Sequence, residues 1–198
     1  MNPRKLIDAI NSSCKKSIDS AFNLSLHNRC NHNLLHFIID GTSYAVNKHE
    51  LVKVLKWFDD FWLFLEIKFE LQSHTFISLS VFQGKDFDSK KYQLFRAEWD
   101  DYDNSDEKHA QPHWHISSNQ TIENTFIEYA DILEKQDFLH EFESEKQKMI
   151  DVKRIHFAMN GDWQRIGGTH IHKMENEQQI VRWLQGMLNH LRAELESV

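Results

Sequence analysis

Two histidine pairs, His113-Trp114-His115 and His170-Ile171-His172, carry the most specific chemical spacing in this chain. Residues two apart on a strand lie on one side of it, about 7 Å apart by the strand rise, so both imidazoles reach one metal ion. Zinc or manganese is the ion such donors would take. His113 and His115 sit in the stronger strand pattern, whereas His170 and His172 follow a glycine-rich loop. Wider motifs do not extend either pair. A JAMM metalloprotease would place Ser and Asp where this chain has Glu123 and Phe126. The amidohydrolase H-x-H needs a barrel longer than this chain. The cupin pattern wants a carboxylate four or five residues on, and Gln120 and Glu123 do not supply it. Neither H-E-x-x-H nor a zinc-finger cysteine spacing is present.

Strand parity widens the candidate site. In Tyr92–Trp99, Phe95, Ala97 and Trp99 point one way and Arg96 and Glu98 the other. In 112–117, Trp114 and Ile116 oppose His113, His115 and Ser117. In 154–159, Ile155, Phe157 and Met159 oppose Arg154 and His156. With the apolar sets turned to one core, the opposite face gathers Arg96, Glu98, His113, His115, Ser117, Arg154 and His156. Histidines titrate near neutrality and arginines grip anions. By contrast, Glu66, Lys68 and Glu70, alternating with Leu65, Ile67 and Phe69, read as an ordinary wet face.

Other loops carry weaker signals. The acidic run from Asp100 to Glu107 lacks the glycine and glutamate of an EF-hand, with Asp106 and Pro112 in those positions. It reads as a solvated loop that could cover the His/Arg face. Gly161, Gly167 and Gly168 lie in a loop with neither the P-loop nor the dinucleotide fingerprint. No nucleophile elbow occurs.

The elements that would position these residues form an α+β domain. Leu6, Ile10, Cys14, Ile18 and Phe22 recur every fourth residue, predicting a helix that opens at Asn2-Pro3. Strands are expected at 34–40 and 42–46 on either side of Gly41. Asn47 and Glu50 have capping-box spacing, predicting a helix from Lys48 to about Phe61. Strands follow over 63–71, 75–82, 92–99 and 112–117, then helical spacing from Ile122 to Phe142 and a strand at 154–159. A last helix is expected at 176–195, with Ile180, Leu184, Met187, Leu188 and Leu191 on one side. Hairpins outnumber βαβ units. The expected fold is therefore a mainly antiparallel sheet with helices packed on one face, in a single domain over residues 1–198.

Composition bounds the functions. The chain has 198 residues, 40% of them hydrophobic, with six glycines and two prolines, which gives ample core and no low-complexity architecture. A net charge of −7 argues against a whole surface built for nucleic acid or anionic lipid, though not against a local basic pocket. No apolar leader or stretch long enough for a bilayer is seen, so no membrane role is expected. Cys14 and Cys30 form no C-x-x-C pair and read as reduced thiols of a cytoplasmic protein.

Three functions fit. The first is a phosphodiesterase or ribonuclease-like enzyme acting on RNA or another phosphate-containing ligand. It would use His113 or His115 as base, His156 or Glu98 as acid, and Arg96 and Arg154 as anion clamps. The second is a metal-dependent hydrolase using His113, His115, His170 and His172, with Glu98 as base. The third is a non-enzymatic antitoxin-, immunity- or complex-subunit-like protein that binds a protein partner through Trp99, Trp114, Trp163 or the last helix. The residues alone do not choose among them.

Overall fold

The computed structural model describes residues 1–48, 50–70, 74–88, 91–101, 112–116 and 174–197. Among these, eight antiparallel strands and two helices make an α+β fold. Helix α1 (Pro3–Ser17) begins where the Asn2 side chain accepts from the Lys5 backbone N–H, with Pro3 in the first turn. It ends earlier than its apolar spacing predicts: Ile18 is the C-cap, and Phe22 is buried beyond the helix. Helix α2 (Glu177–Ser197) buries Ile180, Leu184, Met187, Leu188, Leu191 and Leu195.

The strands are β1 (Leu24–Leu26), β2 (Leu34–Ile39), β3 (Ser43–Asn47), β4 (Glu50–Phe58), β5 (Phe61–Glu70), β6 (His74–Gln83), β7 (Tyr92–Asp100) and β8 (His113–Ile116). Their order is β1-β2-β5-β6-β7-β8, and β4 also pairs with the first residues of β5 and carries β3 beside it. Leu63, Leu65 and Ile67 of β5, Ile77, Leu79 and Val81 of β6, and Phe95, Ala97 and Trp99 of β7 join the buried faces of both helices in one apolar cluster.

The helix expected from Lys48 to Phe61 is instead a hairpin arm. Asn47 and Glu50 are paired across a two-residue connection, and the i to i+3 spacing of a capping box is equally that of the corner residues of a β-turn. Val52 and Val54, stiff at χ1, favour the strand. At Gly41 the chain passes so close to Val54 that an added Cβ would overlap its backbone. The Thr42 N–H then donates to the Val54 carbonyl at 3.0 Å.

The β3–β4 hairpin contacts β7 on the sheet face away from the helices. Ala45 and Asn47 of β3 are buried while Tyr44 and Val46 face out. Under the hairpin that sheet face is apolar, with Trp62, Phe64 and Phe82 buried. Along the strands it turns polar.

Candidate metal centre

Antiparallel register sets Glu98 opposite His113 and Arg96 opposite His115. Because β strands alternate sides, all four side chains come to the face away from the helices. Trp114 turns to the other side and meets Phe95 edge-on, with ring centroids 6.0 Å apart. The sheet thus brings together Arg96, Glu98, His113 and His115. Arg154, His156, His170 and His172, together with Trp163 and the acidic loop from 102 onward, lie outside the described residues.

Three donor atoms converge. His115 Nε2 is 3.0 Å from Glu98 Oε2 and 3.0 Å from His113 Nε2, and His113 Nε2 is 3.5 Å from Glu98 Oε2. A tetrahedral zinc with bonds of about 2.0–2.1 Å needs donor atoms about 3.3 Å apart, which this triangle approximates. A neutral imidazole nitrogen carries either a hydrogen or a lone pair. With neutral rings, one shared hydrogen on either Nε2 serves two of these contacts, whereas a cation would take a lone pair from all three atoms. Among the described residues, these three side chains place one ligand atom each within 4.8 Å of one another, close enough to hold a metal ion.

Glu98 itself is buried, and its other oxygen faces two cations. Lys48 donates to Oε1 at 3.0 Å, and Arg96 Nε lies 2.8 Å from it. The Arg96 N–H is not aimed along that line, so the contact is an ion pair rather than a hydrogen bond. Ser78 donates a longer bond of 3.4 Å to the same oxygen. Burial alone would raise the Glu98 carboxyl. Hydrogen bonds from His113 and Lys48, with the charges of Lys48 and Arg96, outweigh it and hold the group well below the usual carboxylate range. Burial lowers the His115 pKa, and the charge of Arg96 lowers it further against the opposing pull of Glu98. The neutral, ligating form of His115 is favoured accordingly. Solvent reaches the group from one side, with the His115 side chain 47% exposed and that of His113 23%.

Lys48 has no sequence signal, standing 50 residues before Glu98. It begins the two-residue connection of the β3–β4 hairpin with φ at 60°. The hairpin tip is fastened by a buried polar triangle. Gln93 Nε2 donates to Asn47 Oδ1 at 3.2 Å and to Ser80 Oγ at 3.1 Å, while Ser80 donates to Asn47 at 3.3 Å. A bulge between Val81 and Phe82 in the β6–β7 pairing puts Gln93 on the same face as Arg96. Ser78 and Ser80 alternate with Ile77, Leu79 and Val81, and this spacing was the readable sign that the far face of β6 is buried and polar.

Glu66, expected on a wet face, is buried as well. His36 Nε2 lies 3.1 Å and Lys68 Nζ 2.9 Å from its Oε2. Burial would raise this carboxyl, but hydrogen bonds from His36 and Lys68 bring it below its ordinary value. The expected alternation was right in period and wrong about water at Glu66, where the His36 side chain from the neighbouring strand β2 and Lys68 from β5 itself pack against the carboxylate. Trp99, expected at a protein interface, is 1% exposed and belongs to the core.

No family model, no curated protein and no solved structure matches this chain. Among the described residues, no helix is long and apolar enough to cross a membrane.

Proposed function

We propose that this protein is a metal-dependent hydrolase whose divalent ion, zinc by its donor set, is held by Glu98 Oε2, His113 Nε2 and His115 Nε2. The observation that carries this reading is the convergence of three ligand atoms, Glu98 Oε2, His113 Nε2 and His115 Nε2, at 3.0–3.5 Å from one another. Three protein ligands with a solvent-facing side is the pattern of catalytic rather than structural zinc. A divalent ion there supplies Lewis-acid polarisation and an acidified water. Glu98 then acts as ligand rather than base. The two imidazoles are ligands, oriented by their shared strand and by the register with β7.

Two further observations support this reading over its rivals. A metal-free mechanism with Glu98 as general acid needs a protonated carboxyl, and this one is held ionised. Of the groups that the interaction-protein reading named, Trp99 is buried and Trp114 packs on Phe95, while Trp163 lies outside the described residues and these contacts do not bear on the last helix.

The test is hydrolysis of an activated phosphodiester, bis(p-nitrophenyl) phosphate, by protein stripped with a chelator and then reloaded with zinc or manganese. Activity should vanish on stripping, return on reloading, and be absent from His115→Ala under both conditions. Full activity of the stripped protein would return the site to metal-free chemistry.

A further inference from the structure

We propose that Lys48 is the substrate-binding residue of this site and that the group it grips is a phosphate-type anion on the open side of the metal. The proposal rests on the metal reading above. It starts from charge. One carboxylate oxygen, Glu98 Oε1, faces both Lys48 Nζ at 3.0 Å and Arg96 Nε at 2.8 Å. Among the described residues, the one negative charge of Glu98 faces these two side-chain cations, and a divalent ion on Oε2 would add a third positive group. An anionic ligand would offset that excess.

The two cations are not equivalent. The Arg96 side chain is 13% exposed and is held in mid-strand, whereas the Lys48 side chain is 50% exposed on a hairpin tip. Lys48 can therefore leave Glu98 for an incoming anion while Arg96 stays and keeps the carboxylate compensated. A compact ammonium on a flexible stem suits that exchange, and a planar guanidinium fixed in a strand suits the stationary role.

Backbone geometry supports the same assignment. Lys48 has a φ of 60°, in the left-handed region where a two-residue hairpin favours Gly, Asn or Asp. That conformation sets the half-exposed Lys48 amine on the buried Glu98 Oε1 at the hairpin tip. The Asn47–Ser80–Gln93 triangle fixes the tip on the sheet beside Arg96, since Ser80 and Arg96 are register partners. The strained residue is thereby anchored next to the donors, with only its side chain left to move.

Binding of inorganic phosphate to zinc-loaded protein, measured by calorimetry beside zinc content, tests the proposal. Lys48→Met and Lys48→Gly should each keep the zinc and bind phosphate at least roughly tenfold more weakly, the loss of one charge-assisted contact. Lys48→Arg should recover most of the affinity. Glycine removes the amine while relieving the backbone, so the result does not hinge on folding of the methionine variant. Wild-type phosphate affinity in both the Met and Gly variants, or no phosphate binding by zinc-loaded wild type, overturns the proposal. Phosphate binding that needs Lys48 but persists in protein unable to hold zinc keeps the anion grip and sinks the metal reading instead.

Discussion

Glu98 Oε2 and His115 Nε2 stand 3.0 Å apart, although 17 positions separate them in the chain. The side chains meet because β7 and β8 pair with Glu98 opposite His113 and Arg96 opposite His115. Three consecutive elements of charge chemistry thus share a few ångströms: a buried carboxylate, two imidazoles, and the cations that keep the carboxylate ionised.

Replacing that carboxylate exposes how much depends on it. Glu98→Gln leaves the largely buried Arg96 guanidinium without its counter-charge, at a cost of about 3 kcal/mol. The half-exposed Lys48 adds little. Urea unfolding should show this loss in the metal-free protein. A variant within about 0.5 kcal/mol of wild type would mean that Arg96 does not depend on Glu98.

Acid should unfold the protein through the same groups. Glu98 and Glu66 both titrate below the ordinary value of 4.5 in the folded chain. The unfolded chain therefore binds more protons in that window, and stability rises with pH across it. The two contributions are complete above about 4.5 and are lost as pH falls below it toward the folded values. Thermal melts between pH 3 and pH 7 should show wild-type stability falling over the acid end, and a flatter slope in Glu98→Gln. Parallel slopes would remove Glu98 from the account.

Much of this arrangement is legible in sequence, and the missing parts have physical causes. Strand alternation alone predicts that Arg96 and Glu98 share one face of their strand and His113 and His115 one face of theirs, because a period of two leaves only two faces. What alternation cannot supply is long-range pairing. Lys48 reaches Glu98 only because the β3–β4 arm is a hairpin, and the capping-box spacing of Asn47 and Glu50 pointed to a helix in the same place. Glu66 misled for a related reason: its strand pattern is that of a half-wet strand, and the long-range pairing of β2 with β5 brings His36 against it.

Gly41 tests the hairpin. A methyl group there would overlap the Val54 backbone, which cannot yield as a flexible side chain would. Gly41→Ala should cost about 1–3 kcal/mol and should weaken phosphate binding by displacing Lys48. A fully stable variant would show that the β2–β3 connection moves freely against β4.

Cys14 offers a chemical check on the helix layer. Burial pushes its thiol up to about 12, so almost no thiolate exists at neutral pH. Iodoacetamide at pH 8 should label Cys14 only when the protein is unfolded in denaturant, by peptide mass mapping. Rapid labelling in the native protein would place α1 away from the core.

The central claim is that Glu98, His113 and His115 hold one divalent ion, and metal content tests it most directly. Protein dialysed against micromolar zinc and then against buffer should retain about one zinc per chain. The His113→Ala/His115→Ala double variant should retain essentially none, while a variant of the exposed His32 keeps the wild-type amount. Undiminished zinc in the folded double variant, or none in the wild type, would contradict the account.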